Sequence, residues 1–86
     1  MSPDLSIRVT VLDTLDAINL EVPASTKVSE VKRTALTRSR VRVPASEFVV
    51  KWKGAELYEG DRTLADAGIL QNGALIVLRR RRVPVR

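Results

Sequence analysis

Arg79, Arg80, Arg81 and Arg82 are consecutive, the longest run of one charge in the chain. Such a run can grip phosphates, because each guanidinium fork offers paired N–H donors to phosphate oxygens on nucleic acid or on an anionic lipid surface. A short charge run is more commonly a solvated end that aids solubility. Phe48, Trp52 and Tyr58 are the only aromatic residues, so platforms on which bases could stack are nearly missing and nucleic acid is not the expected partner. The remaining chemistry-bearing residues point away from catalysis. Histidine and cysteine are both absent, which removes disulfides, thiolate nucleophiles, Ser-His hydrolysis and nearly every common zinc or haem site. Asp13, Asp16, Glu59, Asp61 and Asp66 are expected to be too scattered and too exposed to form an acid-base pair, and no glycine-rich turn runs into Lys-Ser or Lys-Thr to cradle a phosphate. No enzyme activity, cofactor or metal is expected. Trp52 is expected to lie half-buried, with its indole N–H reaching water or a carbonyl, and not to stack on a ligand.

The elements that must position these residues follow from periodicity. Leu5, Ile7, Val9 and Val11 alternate with Ser6, Arg8, Thr10 and Leu12, which predicts a first strand with one buried face. A polar connection, Asp13 to Ala17, leads into a second strand in which Ile18, Leu20 and Val22 alternate with Asn19 and Glu21, and the short loop makes the pair antiparallel. Ser25 or Thr26 is placed to cap a helix, with Glu30 in its first turn. Val28, Val31, Ala35 and Leu36 fall on one stripe, while Lys27, Lys32, Arg33 and Arg38 fall elsewhere, and the helix is expected to end near Thr37. Arg38 to Arg42 reads as an irregular basic connection, closed by the extended Val43-Pro44 step.

Val50 and Trp52 alternate with Val49, Lys51 and Lys53 in a third strand that Gly54 ends, and Ala55 to Leu57 could form a short fourth. Thr63 with Asp66 has the spacing of a small capping box over Leu64, Ile69 anchors the next loop, and Asn72-Gly73 supplies a positive-φ turn before a last strand from Ala74 to Arg79. One sheet face then needs cover, and one amphipathic helix is the only element able to give it. The prediction is an α+β fold of β-grasp type, a mixed sheet of four to five strands packed on one helix, with a domain over 1–78 and a basic C-terminal tail over 79–86. The chain has 86 residues, 44% hydrophobic and 29% charged, which suits a single domain expected to be monomeric. Its net charge of +5 owes much to the last eight positions. No apolar run reaches the ~20 residues of a membrane span, and no export signal is evident, so a cytoplasmic location is expected.

The chain resembles ubiquitin-like domains from about Leu5 to Arg82. The segments that carry the resemblance are INLEVPAST, KVSEVKRTAL, the Val43-Pro44 step and KGAELYEGDRTLADAGI, with Gly54, Leu57, Gly60, Arg62-Thr63-Leu64, Asp66 and Ile69 in the family's order. The resemblance implies a surface for other proteins and no catalytic centre. Conjugated relatives end in an exposed Gly-Gly, whereas this sequence reads Arg82-Val83-Pro84-Val85-Arg86, a poor acyl donor; the expected type is therefore non-conjugating and bacterial, similar to the small ubiquitin-like proteins that accompany bacterial type VII secretion. The recognition face of the family is the exposed side of the sheet. By strand parity the matching residues are Leu12, Val49, Lys51, Ile76 and Leu78, with Lys51 where the family's apolar patch has its central isoleucine. A charge there is costly to bury unpaired, so receptors built for an apolar centre should bind poorly. Arg8, Lys53 and Arg80 add a basic rim, continued by Arg79, Arg81 and Arg82, which favours a protein partner of acidic or mixed apolar-acidic surface. Two other readings remain open at this point: a modifier whose terminus is activated in another way, and a basic adaptor that binds nucleic acid or anionic membrane through the arginine tail.

Overall fold

The computed structural model describes residues 4–80. Five strands form one mixed sheet with α1 (Val28–Arg38) across one face. The strands are β1 (Leu5–Val11), β2 (Asp16–Val22), β3 (Phe48–Trp52), β4 (Ala55–Glu56) and β5 (Gly73–Arg79), in the spatial order β2-β1-β5-β3-β4. β1 and β5 run parallel at the centre, while the β1/β2, β3/β5 and β3/β4 pairs are antiparallel. The α+β architecture read from the sequence is the one observed.

Alternation decides which side chains enter the core. Ile7, Val9 and Val11 of β1, Leu20 of β2, Phe48 and Val50 of β3, and Leu75 and Val77 of β5 are buried with Val28, Val31, Ala35 and Leu36 of α1. The β-branched residues suit the pleat, and the four helix positions fall on one stripe at the expected spacing.

The helix start differs from the expectation that Ser25 or Thr26 caps it. The N-cap residue is Lys27, and no side chain caps the first turn. Instead the Val28 N–H donates to the Arg62 carbonyl at 3.0 Å, and the Leu64 N–H donates back to the Thr26 carbonyl at 2.9 Å. A distant backbone segment has satisfied the orphan donor that a hydroxyl would otherwise serve. The helix also runs one residue beyond Thr37, to Arg38.

Lys32 is the second departure. It was expected off the apolar stripe, yet it is only 5% exposed. Its stem covers the core, and its Nζ donates to the Phe48 carbonyl at 2.9 Å and lies 2.7 Å from Glu59 Oε1. Glu59, expected among the exposed acids, is thus the counter-charge of a buried lysine.

Local signals elsewhere are borne out. Thr63 and Asp66 form a reciprocal capping box on α2 (Leu64–Ala67), which ends at Gly68 in the left-handed region. Lys53 and Gly54, both at positive φ, make the two-residue turn between β3 and β4. In the Asn72-Gly73 pair it is Asn72 that takes positive φ, at 65°. Gly73 opens β5 and is needed for space: a Cβ there would sit 2.9 Å from Ile69 Cγ2 and 3.0 Å from the Leu70 carbonyl oxygen. Gly73→Ala is therefore expected to destabilise the domain by about 1–2 kcal/mol, read as a lower midpoint in urea unfolding with unchanged slope. An unchanged midpoint would mean that the Ile69 side chain moves aside at no cost.

Candidate protein-interaction face

The side of the sheet away from α1 carries the residues of the expected interaction surface. β3 and β5 pair Val49 with Leu78 and Lys51 with Ile76, and β5 pairs Ile76 with Thr10 of β1. The Leu12 N–H donates to the Val77 carbonyl at 3.0 Å, which extends the β1 side of the ladder one residue past Val11 and sets Leu12 beside the end of β5. Two adjacent rows result. One holds Leu12, Leu78 and Val49; the other holds Thr10, Ile76, Lys51 and Glu56, the last facing Lys51 across β3 and β4. Strand spacing of about 4.8 Å puts the members of each row in side-by-side contact range.

Exposure is uneven along these rows. Leu12 is 42% and Ile76 40% exposed, and Leu78 is half-buried. Val49 has the outward parity expected of it but is only 5% exposed, although it stands outside the core cluster. Its short branched side chain lies between the longer Leu78 across the pair and Lys51 two positions along, so it forms the floor of the patch and offers little surface of its own. Lys51 is half-buried, and none of the ion pairs among the described residues includes it. Across the neighbouring strands Lys51 is flanked by Ile76 on β5 and by Glu56 on β4.

The basic residues expected around the patch divide into two groups. Arg8 is exposed on the outer face of β1, between Asn19 and Ala74. Lys53 sits in the β3/β4 turn, with its Nζ 4.9 Å from the Trp52 ring centroid, a cation over a π face. Trp52 itself is half-buried against the core. Arg79 has the core-side parity at the end of β5: its Nε lies 2.7 Å from Asp13 Oδ2, and its guanidinium is 5.7 Å from the Phe48 ring centroid. It is a clamp between the β1/β2 loop and the sheet, and not a free tail residue. The Arg80 N–H donates to the Glu47 carbonyl at 2.7 Å, so β5 continues its ladder past Leu78, where the boundary between domain and tail was expected. Arg81 and Arg82 lie outside the described residues.

Four of the acidic side chains singled out from the sequence have structural partners. Asp13 holds Arg79, Glu59 holds Lys32, Asp61 stands 3.4 Å from Lys27, and Asp66 closes the capping box. Among the described residues no group of acidic side chains gathers at metal-binding distance, and no helix is long and apolar enough to cross a membrane.

Comparison with known proteins agrees with this architecture. The model of a family described as the ubiquitin family matches residues 7–82. The fold is similar to that of a solved ubiquitin from Caldiarchaeum subterraneum, with a TM-score of 0.77, 18% sequence identity, and coverage of 91% of this chain and 95% of that one. Among curated proteins no match is found.

Proposed function

The chain belongs to the ubiquitin family, and from that premise we propose that it is a non-enzymatic adaptor that binds a protein partner in the cytoplasm through the outer face of its sheet. The observation that carries this reading is the exposure of Leu12 and Ile76 beside half-buried Leu78, around the half-buried and unpaired Lys51. Aliphatic side chains on neighbouring strands form a contiguous apolar surface, which on a small domain marks an interface. Lys51 selects its chemistry: the complementary surface places a carboxylate among apolar groups, with Arg8 steering an acidic approach. Within the 86 residues no two glycines are adjacent, which favours a partner held non-covalently. That feature and the size of the domain also favour an adaptor of the kind that accompanies bacterial type VII secretion.

A pull-down separates this reading from its rivals. The baits are the full chain and a chain ending at Arg80, the last described residue, whose N–H donates to the Glu47 carbonyl. The same protein is expected on both, released by denaturant without any covalent species of higher mass. A partner retained only by the full chain would move the function to the arginine tail, and covalent species that survive denaturation would make the chain a modifier.

A further inference from the structure

Between Glu30 and Glu47 the chain holds five basic residues and no acidic one. Lys32 is buried in its pair with Glu59, which leaves Arg33, Arg38, Arg40 and Arg42. All four are exposed, and none enters an ion pair or a side-chain hydrogen bond among the described residues. They occupy the last two turns of α1 and the loop that follows. Arg38 carries this basic surface into a cleft that it shares with Arg8 of β1 and with the neutral donors of Asn19, Thr34 and Asn72. Glu21 is the single acidic residue lining that cleft among the described residues.

Fold stability does not account for these residues. The helix dipole favours a cation in the last turn, but Arg38 is the only basic residue there. Arg40 works against the fold. The Val41 N–H donates to the Leu36 carbonyl at 3.0 Å and the Arg40 N–H to the Thr37 carbonyl at 3.1 Å, which is the Schellman ending of a helix. That ending needs a left-handed residue at position 40, where φ is 60°, and glycine is its usual occupant because a Cβ is disfavoured there. No side-chain bond compensates for arginine in this place. A residue held in a costly conformation with no structural return points to a role outside the fold.

What the surface lacks selects its ligand. None of the exposed large hydrophobic side chains falls between residues 33 and 42, so there is no apolar centre for a protein interface and nothing to insert into a membrane. No aromatic residue lies there on which an unpaired base could stack. Guanidinium charge remains, and its paired donors fit phosphodiester oxygens. We propose that the C-terminal end of α1 and the loop after it bind the phosphate backbone of duplex DNA without reading its sequence. The scarcity of stacking platforms counts against single strands only, because a duplex keeps its bases paired and is held by its phosphates. This surface lies on the α1 side of the sheet, and the inference does not depend on the function proposed for the patch around Ile76.

The test is fluorescence anisotropy of a labelled DNA duplex of about two helical turns, titrated with the full chain over a series of salt concentrations. The combined variant Arg33→Gln, Arg38→Gln, Arg42→Gln is expected to bind at least about tenfold more weakly. The slope of log affinity against log salt should flatten by about 2–3, the scale of three lost phosphate contacts. Arg81→Gln, Arg82→Gln, Arg86→Gln removes the same charge from the other end of the sequence and should weaken binding less. Arg40→Gly separates the site from the fold: it should raise the midpoint of urea unfolding and still weaken binding. An equal loss in the two triple variants overturns the proposal, because net charge alone would then explain the binding. Undiminished binding by Arg40→Gly overturns it too, since the strained arginine would have no part in the contact. So does tighter binding to an RNA duplex of the same length, or retention on phosphatidylserine vesicles at salt that releases the DNA.

Discussion

Glu59→Ala is expected to cost about 2–4 kcal/mol of folding stability, because it leaves the ammonium of Lys32 buried with only the Phe48 carbonyl as partner. Removing one member of a fully buried ion pair typically costs ~3–5 kcal/mol; the lower figure applies here because the Glu59 side chain keeps 21% of its exposure and water screens part of the interaction. For a domain of this size, a loss on that scale corresponds to a fall in Tm of roughly 10–25 °C. The companion variant Lys32→Met keeps most of the buried stem and removes the charge. Combined with Glu59→Ala, it should recover at least about 1 kcal/mol relative to Glu59→Ala alone, since apolar replacement of a buried pair is often close to neutral. Urea unfolding of the three variants measures this directly. If Glu59→Ala lies within about 0.5 kcal/mol of the parent, the pair carries no weight and Lys32 is solvated by other means.

The same pair marks where the sequence could be read and where it could not. The helix stripe of Val28, Val31, Ala35 and Leu36 was legible because it depends only on spacing along one element. Spacing sets position 32 on that stripe too, between 28 and 36, so the expectation that Lys32 falls elsewhere misread the period, although a lysine by type favours solvent. What overrides the type is a carbonyl on β3 and a carboxylate 27 residues away in sequence, which no local pattern reveals. The capping box of Thr63 and Asp66 was legible because both partners sit within one turn. The start of α1 was not, because its cap is the backbone of Arg62, brought there by tertiary folding. Along the candidate face, parity correctly set Leu12, Val49, Lys51, Ile76 and Leu78 on one side. It could not tell that Val49 would be covered by its longer neighbours, or that Arg79 would leave the rim to clamp Asp13. Direction comes from backbone period, whereas exposure depends on the lengths of neighbours from other strands.

Ile76→Asp is expected to abolish partner capture while the fold persists. Ile76 points outward at 40% exposure, between Thr10 and Lys51, so a carboxylate there keeps access to water and should lower stability by no more than ~1 kcal/mol. Its effect on binding should be far larger. A hot-spot contact at the centre of an interface contributes about 2 kcal/mol or more, and the loss would weaken capture by at least about 30-fold. The new carboxylate would also lie beside Lys51, neutralising the charge to which the partner's own carboxylate must bind. Lys51→Glu isolates that electrostatic part: it leaves Leu12, Ile76 and Leu78 in place but repels an acidic surface, so capture should fall and should no longer weaken as salt is raised. Ala17→Asp, on β2 opposite Thr10, places the same charge two strands from Ile76 and serves as the control that retains capture. Circular dichroism and urea unfolding establish that each variant is folded before capture is compared. If Ile76→Asp and Lys51→Glu both retain the partner, the outer face is not the docking surface. If Lys51→Glu alone retains it, the partner reads the aliphatic rows and is indifferent to the charge, so the acidic component of the proposed partner must be abandoned.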